Sequence, residues 1–321
     1  MKTLLSVIAI SLSAAFAAQP AWADGTIATV QVGIGNKFYV SQFDPGVGQV
    51  VDARITQIGN NNSAGDPLAK TPGIIQTGAS DNAYAEIWQS GSGNNAGIRQ
   101  DGTTRTSDLI RQLGTNNTGS IVQDGWQVGA SINQTGGGNI STILQTGIVD
   151  FEAHTVQVGT NNKISVYQNI AGHQGADVLQ SGAGNSATVV QQRLDFIEAN
   201  ISQAGTLNTA RSTQTDAMFS GATLTQLGNA NTVLNTQSGE WNQVTSLQRG
   251  VGNNASFTQS LNESQASITQ LGNANKATIK QTGVAGVSPA ANVASIQQTG
   301  NNFVASLTQT GSGNLAGIIQ H

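Results

Sequence analysis

The side chains of this chain best placed to do chemistry are carboxamides at fixed spacing, and the chemistry open to them is hydrogen bonding to copies of themselves. Gln recurs at 89, 100, 112, 123, 134, 145, 157, 168, 180, 191, 203, 214, 226, 237, 248, 259, 270 and 281, in steps of 11 or 12 residues. The full unit is two steps, with the frame Gln-x-Gly-x-x-Asn-x-Ala followed four residues later by a second Gln. Gln89, Gly91, Asn94, Ala96 and Gln100 show it whole. So do the copies carrying Gln180, Asn185 and Gln191; Gln248, Asn253 and Gln259; Gln270, Asn275 and Gln281; and Gln309, Asn314 and Gln320. Looser copies start at Gln31, Gln57, Gln112, Gln134, Gln157, Gln203 and Gln226. An amide buried alone costs a few kcal/mol. Identical amides stacked at the spacing of adjacent strands, about 4.8 Å, supply each other's partners, each donating to one neighbour and accepting from the other.

Such columns need an element that repeats its register. In a strand, side chains two apart share a face. That parity places Asn275, Ala277, Ile279 and Gln281 inward and Lys276, Thr278 and Lys280 outward. Ala at one inward position lets two sheets approach closely. A helix would want apolar residues at i, i+3, i+4 and i+7, and two Gly per unit would each cost it about 1 kcal/mol. Gly33, Gly59, Gly182 and Gly205 lie two residues past a Gln, where the chain must reverse and a positive φ is expected. Each unit therefore reads strand, turn, strand, turn. The fold expected is an all-β solenoid of two stacked parallel sheets with about 12 coils, the length of one unit matching known solenoid repeats. Loops are expected at Phe43 to Ala53, Gly65 to Gly73 and Val284 to Ala294, where Pro45, Pro67, Pro72 and Pro289 fall.

Composition excludes other classes. Only 9% of residues are charged and the 13 basic ones are scattered, so no patch for nucleic acid forms. Without cysteine there is no disulfide or thiolate site. His154, His173 and His321 lack metal-site spacing and read as exposed loop residues. The acidic residues do not cluster as in polysaccharide-cleaving β-helices, and no Gly-Lys-Ser or Gly-Lys-Thr follows the Gly-rich stretches. No catalytic, cofactor or metal residue is expected. Isolated charges such as Asp101, Arg105, Asp108 and Arg111 read first as solvated outer-face residues and second as gatekeepers against aggregation. Trp88, Trp126 and Trp241 read equally as outward ligand-contacting aromatics on turns and as lids over coil ends.

Lys2, the apolar run Leu4 to Ala18 and the small-x-small triplet Ala21, Trp22, Ala23 form a secretory signal over 1-23. The apolar run is shorter than the roughly 20 residues of a membrane span. The repeat solenoid then occupies 24-321. Gly317 to His321 falls directly on a consensus coil, so an open edge is expected there, ready for head-to-tail addition.

The frame, often with a Ser six residues earlier as at Ser220 before Gln226 and Ser264 before Gln270, resembles the curlin repeat over nearly all of the mature chain. The resemblance implies a curlin-type subunit of curli, secreted through the outer membrane of a Gram-negative bacterium. Such subunits assemble at the cell surface as functional amyloid and serve adhesion and biofilm matrix. Implied partners are further copies of the chain, a nucleating curlin-like subunit and an outer-membrane secretion channel. Two features depart from the best-known major subunits: Gln31 follows the cleavage site with almost no secretion segment, and the array exceeds the usual five or so repeats. The competing reading is a β-solenoid surface adhesin that does not polymerise.

Overall fold

The computed structural model describes residues 6–9, 26–43, 51–66, 71–77, 82–147, 150–169, 172–193, 195–260, 262–282 and 291–321. Among them no helix occurs. The strands form two parallel sheets stacked as a β-solenoid of about 11 turns. The early coils are made of pieces. Lys37–Phe38 pairs with Ser63–Asp66, and Val40–Phe43 pairs with Ile74–Thr77, where later coils use one continuous strand.

The chain divides into two compact units, Met1–Asn161 and Asn162–His321. In the first, one sheet carries Thr26–Val32, Val51–Asn60, Ala83–Ser92, Ser107–Thr115, Val128–Gly137 and Phe151–Thr160 in order. Ser6–Ala9 lies beside Thr26–Val32. The facing sheet carries Ile74–Thr77, Asn95–Thr104, Thr118–Trp126 and Ile140–Thr146. Alternation fixes which side chains meet: Ala83–Ser92 reads buried, half-buried, buried along its length. Ile55, Ile87, Ile110 and Ile132 stack in register on one sheet, and Ile74, Ile98, Ile121 and Ile143 on the other. All eight are buried. At about 1.5–3 kcal/mol per buried Ile, these facing columns are the main apolar drive of a thin core.

The second unit repeats the plan. One sheet holds Gln174–Ala183, Ile197–Thr206, Gly221–Asn229, Gln243–Val251, Ser264–Leu271, Asn292–Thr299 and Leu315–Gln320. The other holds Lys163–Asn169, Ser186–Gln192, Thr209–Met218, Thr232–Glu240, Asn254–Ser260, Lys276–Thr282 and Val304–Thr310. Its apolar columns are broken by buried Ser212, Asn235 and Ser246.

Strands extend into several expected loops. Val51 and Ala53 are buried in a strand, Gly65 and Asp66 pair antiparallel with Pro72 and Thr71, and Ala294 is buried in Asn292–Thr299. Pro45, Pro67 and Pro289 lie outside the described residues. Gly shapes the reversals. Gly114 has φ +122°, and a Cβ there would sit 2.0 Å from the carbonyl oxygen of Gly136 in the next coil. Only a residue with no side chain permits both the conformation and the approach.

Candidate functional site

The inward carboxamides form hydrogen-bonded columns. In the first unit Gln31, Gln57, Gln89, Gln112, Gln134 and Gln157 are joined in series, each Nε2 donating to the next Oε1 at 2.6 to 2.9 Å. From Gln57 to Gln157 the second hydrogen of the amide crosses to the facing sheet. Gln89 donates to the Ser63 carbonyl at 3.1 Å, and Gln112 to that of Asn95 at 2.9 Å. Each of these five Gln ties coil to coil and sheet to sheet, using both hydrogens the group offers. In the second unit Gln180, Gln203, Gln226, Gln248, Gln270, Gln298 and Gln320 form one such column. Gln168, Gln191, Gln214, Gln237, Gln259, Gln281 and Gln309 form another.

The asparagines run the other way. Asn94 Nδ2 donates back to Asn62 Oδ1 at 3.0 Å and forward to the Gly114 carbonyl at 2.9 Å. Asn185 does the same with Asn162 and Gly205, and Asn208 with Asn185 and Gly228. Gln columns therefore present donors toward the C-terminal side of each coil, while the Asn Oδ1 groups present acceptors there. Each of the Gln-to-Gln and Asn-to-Asn side-chain hydrogen bonds named above has this polarity.

Gln89, Asn94, Gln100, Gln180, Asn185, Gln191, Gln248, Asn253, Gln259, Gln270, Asn275, Gln281 and Gln309 are buried, and Asn314 and Gln320 are half-buried on the outermost described coil. There Gln320 Nε2 donates only to the Val304 carbonyl, at 3.3 Å, and Gln309 Nε2 to the carbonyls of Val293 and Asn314. Neither meets a further Gln among the described residues. In the first unit no Gln amide among the described residues donates to Oε1 of Gln31 or Gln42. The Gln donors left over in the second unit and the Gln acceptors left over in the first are complementary in kind.

Three placements differ from the sequence reading. Asp108 is no solvated outer-face charge: it is fully buried at an inward position, four residues before Gln112 and two before Ile110. Trp88 stands on the outer face of a strand rather than on a turn, with the Arg111 guanidinium 4.9 Å from its ring centroid. His154 is likewise on a strand, its Nδ1 2.9 Å from Ser131 Oγ.

Trp241 belongs to an aromatic column on one row of turns: His173, Phe196, Phe219 and Trp241 stack with centroids 4.5, 5.0 and 4.3 Å apart. Phe196, Phe219 and Trp241 hold left-handed φ values of 56°, 50° and 61°. The rings cover one another's faces and leave their edges to solvent. Their spacing of 23, 23 and 22 residues is the coil period and was the available signal. Trp126, half-exposed, ends the strand Thr118–Trp126.

Among the described residues no helix is long and apolar enough to cross a membrane. No family model matches the chain, and no curated protein matches it.

Proposed function

We propose that this chain is a structural subunit of a curli-like extracellular amyloid fibre, growing by head-to-tail addition of coil to coil and performing no enzymatic chemistry. The observation that carries this reading is the single polarity of the amide columns. Each coil offers Gln donors and Asn acceptors on one side, and the converse on the other. A coil of one copy set against the first coil of the next meets the same groups as an internal neighbour. Parallel backbone pairing would continue across the joint, as in cross-β assemblies. Because the joint is heterologous and does not close, it generates a filament. The signal pattern from Lys2 to Ala23 supports export, and the curlin-like frame supports the cell surface of a Gram-negative bacterium, adhesion and biofilm matrix as setting. Partners in this reading are other copies, a nucleating curlin-like subunit and an outer-membrane channel.

The test is incubation of purified chain from Asp24 onward, followed by thioflavin fluorescence, sedimentation and electron microscopy. Unbranched fibres with a strand spacing of about 4.8 Å along the axis are expected. Monomers that stay soluble across conditions would favour the non-polymerising adhesin instead.

A further inference from the structure

In the first unit the second-sheet column of glutamines is interrupted once. Gln42 donates to Gln76 at 2.7 Å, Gln76 to Gln100 at 2.8 Å, and beyond the break Gln123 donates to Gln145 at 2.8 Å. Gln100 turns aside: its Nε2 donates to Asp108 Oδ2 at 2.9 Å instead of to Gln123. Gln123 Oε1 is left buried without a partner. Asp108 takes a place whose register neighbours are Ala85 and Ala130, and its Oδ1 accepts the Ala130 backbone N–H at 3.1 Å.

We propose that Asp108 is a proton-binding site built into the amide column, held by the folded coils as the neutral acid, whose O–H gives Gln123 Oε1 the donor it lacks. The two oxygens of Asp108 already accept one N–H each, and the Gln123 side chain lies within hydrogen-bonding reach. The unmet need in this pocket is for a donor. A carboxylate cannot supply one and a carboxylic acid can.

No cation offsets the burial. The titratable groups on the packed elements are Tyr84 and Glu86 on Ala83–Ser92, Arg99 and Asp101 on Asn95–Thr104, and Asp124 on Thr118–Trp126. Arg111 on its own strand and Arg105 on the preceding turn complete the set, and Val128–Gly137 has none. All are half-buried or exposed on the outer face or turns. Burial therefore pushes the Asp108 carboxyl well above the usual carboxylate range, outweighing the hydrogen bonds from Gln100 and Ala130.

A folded-state pKa above the ordinary 3.8 gives a contribution fully present below that pH and lost as pH rises through the folded value. Each unit of elevation changes the folded-to-unfolded ratio about tenfold. The other shifted groups act elsewhere. Hydrogen bonds from Thr77 and Arg99 hold Asp101 below 3.8, so its contribution is lost only as pH falls further. Burial and the Glu86 hydrogen bond raise Tyr84 above 10.0, in the alkaline range. Asp108 therefore contributes a stability that falls between mild acid and neutrality. The coil stack tightens as its surroundings acidify.

The test uses the full chain with carbon-13 aspartate, at a concentration where it does not sediment. Isotope-edited infrared spectra taken above the ordinary carboxylate range, at about pH 5, are expected to show a protonated carboxyl band that Asp108→Asn lacks. Between about pH 4 and pH 7 the folded-to-unfolded ratio of the wild type is expected to fall at least tenfold. Asp108→Asn, a neutral isostere able to donate to Gln123, is expected to hold that ratio within about twofold over the same interval. Asp108→Ala, the residue type of both register neighbours, serves if the Asn variant does not fold. A wild type without the protonated band, or a variant as pH-sensitive as wild type, would overturn the assignment.

Discussion

Asn94 Oδ1 accepts both the backbone N–H and the side-chain Nδ2 of Asn117, each at 3.1 Å, one coil further on. The asparagine of one coil thereby fixes the turn of the next. Asn94→Ala removes that acceptor together with the donor to Gly114, and each buried group left unpaired costs about 1–3 kcal/mol. Urea denaturation of the soluble chain is expected to show this loss. Asn95→Ala, whose side chain is exposed on the outer face, is expected to stay within about 0.5 kcal/mol of wild type.

Glycine tolerance separates the stacked turns from the strands. Gly114→Ala meets the Gly136 carbonyl at 2.0 Å in a left-handed conformation, and is expected to destabilise by several times the roughly 1 kcal/mol of an ordinary strained glycine site. At Gly129 an added Cβ comes no nearer than 3.9 Å to the Ser107 carbonyl. Gly129→Ala is therefore expected to be neutral or to stabilise by about 0.5–1 kcal/mol, because it reduces the freedom of the unfolded chain. Thermal melts of the two variants read the difference directly.

The polar interruption of the second unit leaves room for stabilisation. Asn235 Oδ1 and Ser246 Oγ are buried without partners, while Asn235 Nδ2 serves Ser212 Oγ at 3.2 Å and Gln237 Oε1 at 3.0 Å. Gln237 Oε1 keeps its donor Gln214 if Asn235 is lost. Replacing both column positions, Ser212→Val with Asn235→Val, continues the apolar row of Val166 and Val189. A gain of about 1–2 kcal/mol is expected in chemical denaturation.

The aromatic column predicts a spectroscopic change. Phe219→Ala uncovers the face of Trp241 now stacked at 4.3 Å. The loss is expected to be about 0.5–1.5 kcal/mol beyond the buried area. In the chain from Asp24 onward with Trp88→Phe and Trp126→Phe, the emission of Trp241 is expected to shift to longer wavelength on exposure to water. An unchanged spectrum would contradict the stack.

Much of this architecture was legible in the residues because a strand has period two and the repeat holds its phase. Asn, Ala, an apolar residue and Gln at alternate positions define an inward row, with the reversal marked by Gly two residues past Gln. Asp108 obeyed the same parity, four residues before Gln112, but carboxylates are so costly to bury that residue type argued for the surface. The opposite polarities of the Gln and Asn columns depend on rotamers, which no spacing encodes. The aromatic column stayed hidden because bulky residues at left-handed turns run against conformational preference, and neighbours stacked on both sides hold them there.

The most direct measurement is the elongation rate of single wild-type fibres, watched by fluorescence microscopy while fed variant monomer. Gln309→Lys with Gln320→Lys places unpaired charges where donors should meet the next copy, and burying such charges costs several kcal/mol. Elongation at least about tenfold slower than wild type is expected. Thr278→Ser with Lys280→Ser changes only the outer face and is expected to elongate at the wild-type rate. Equal rates for the two double variants would contradict growth through the amide columns.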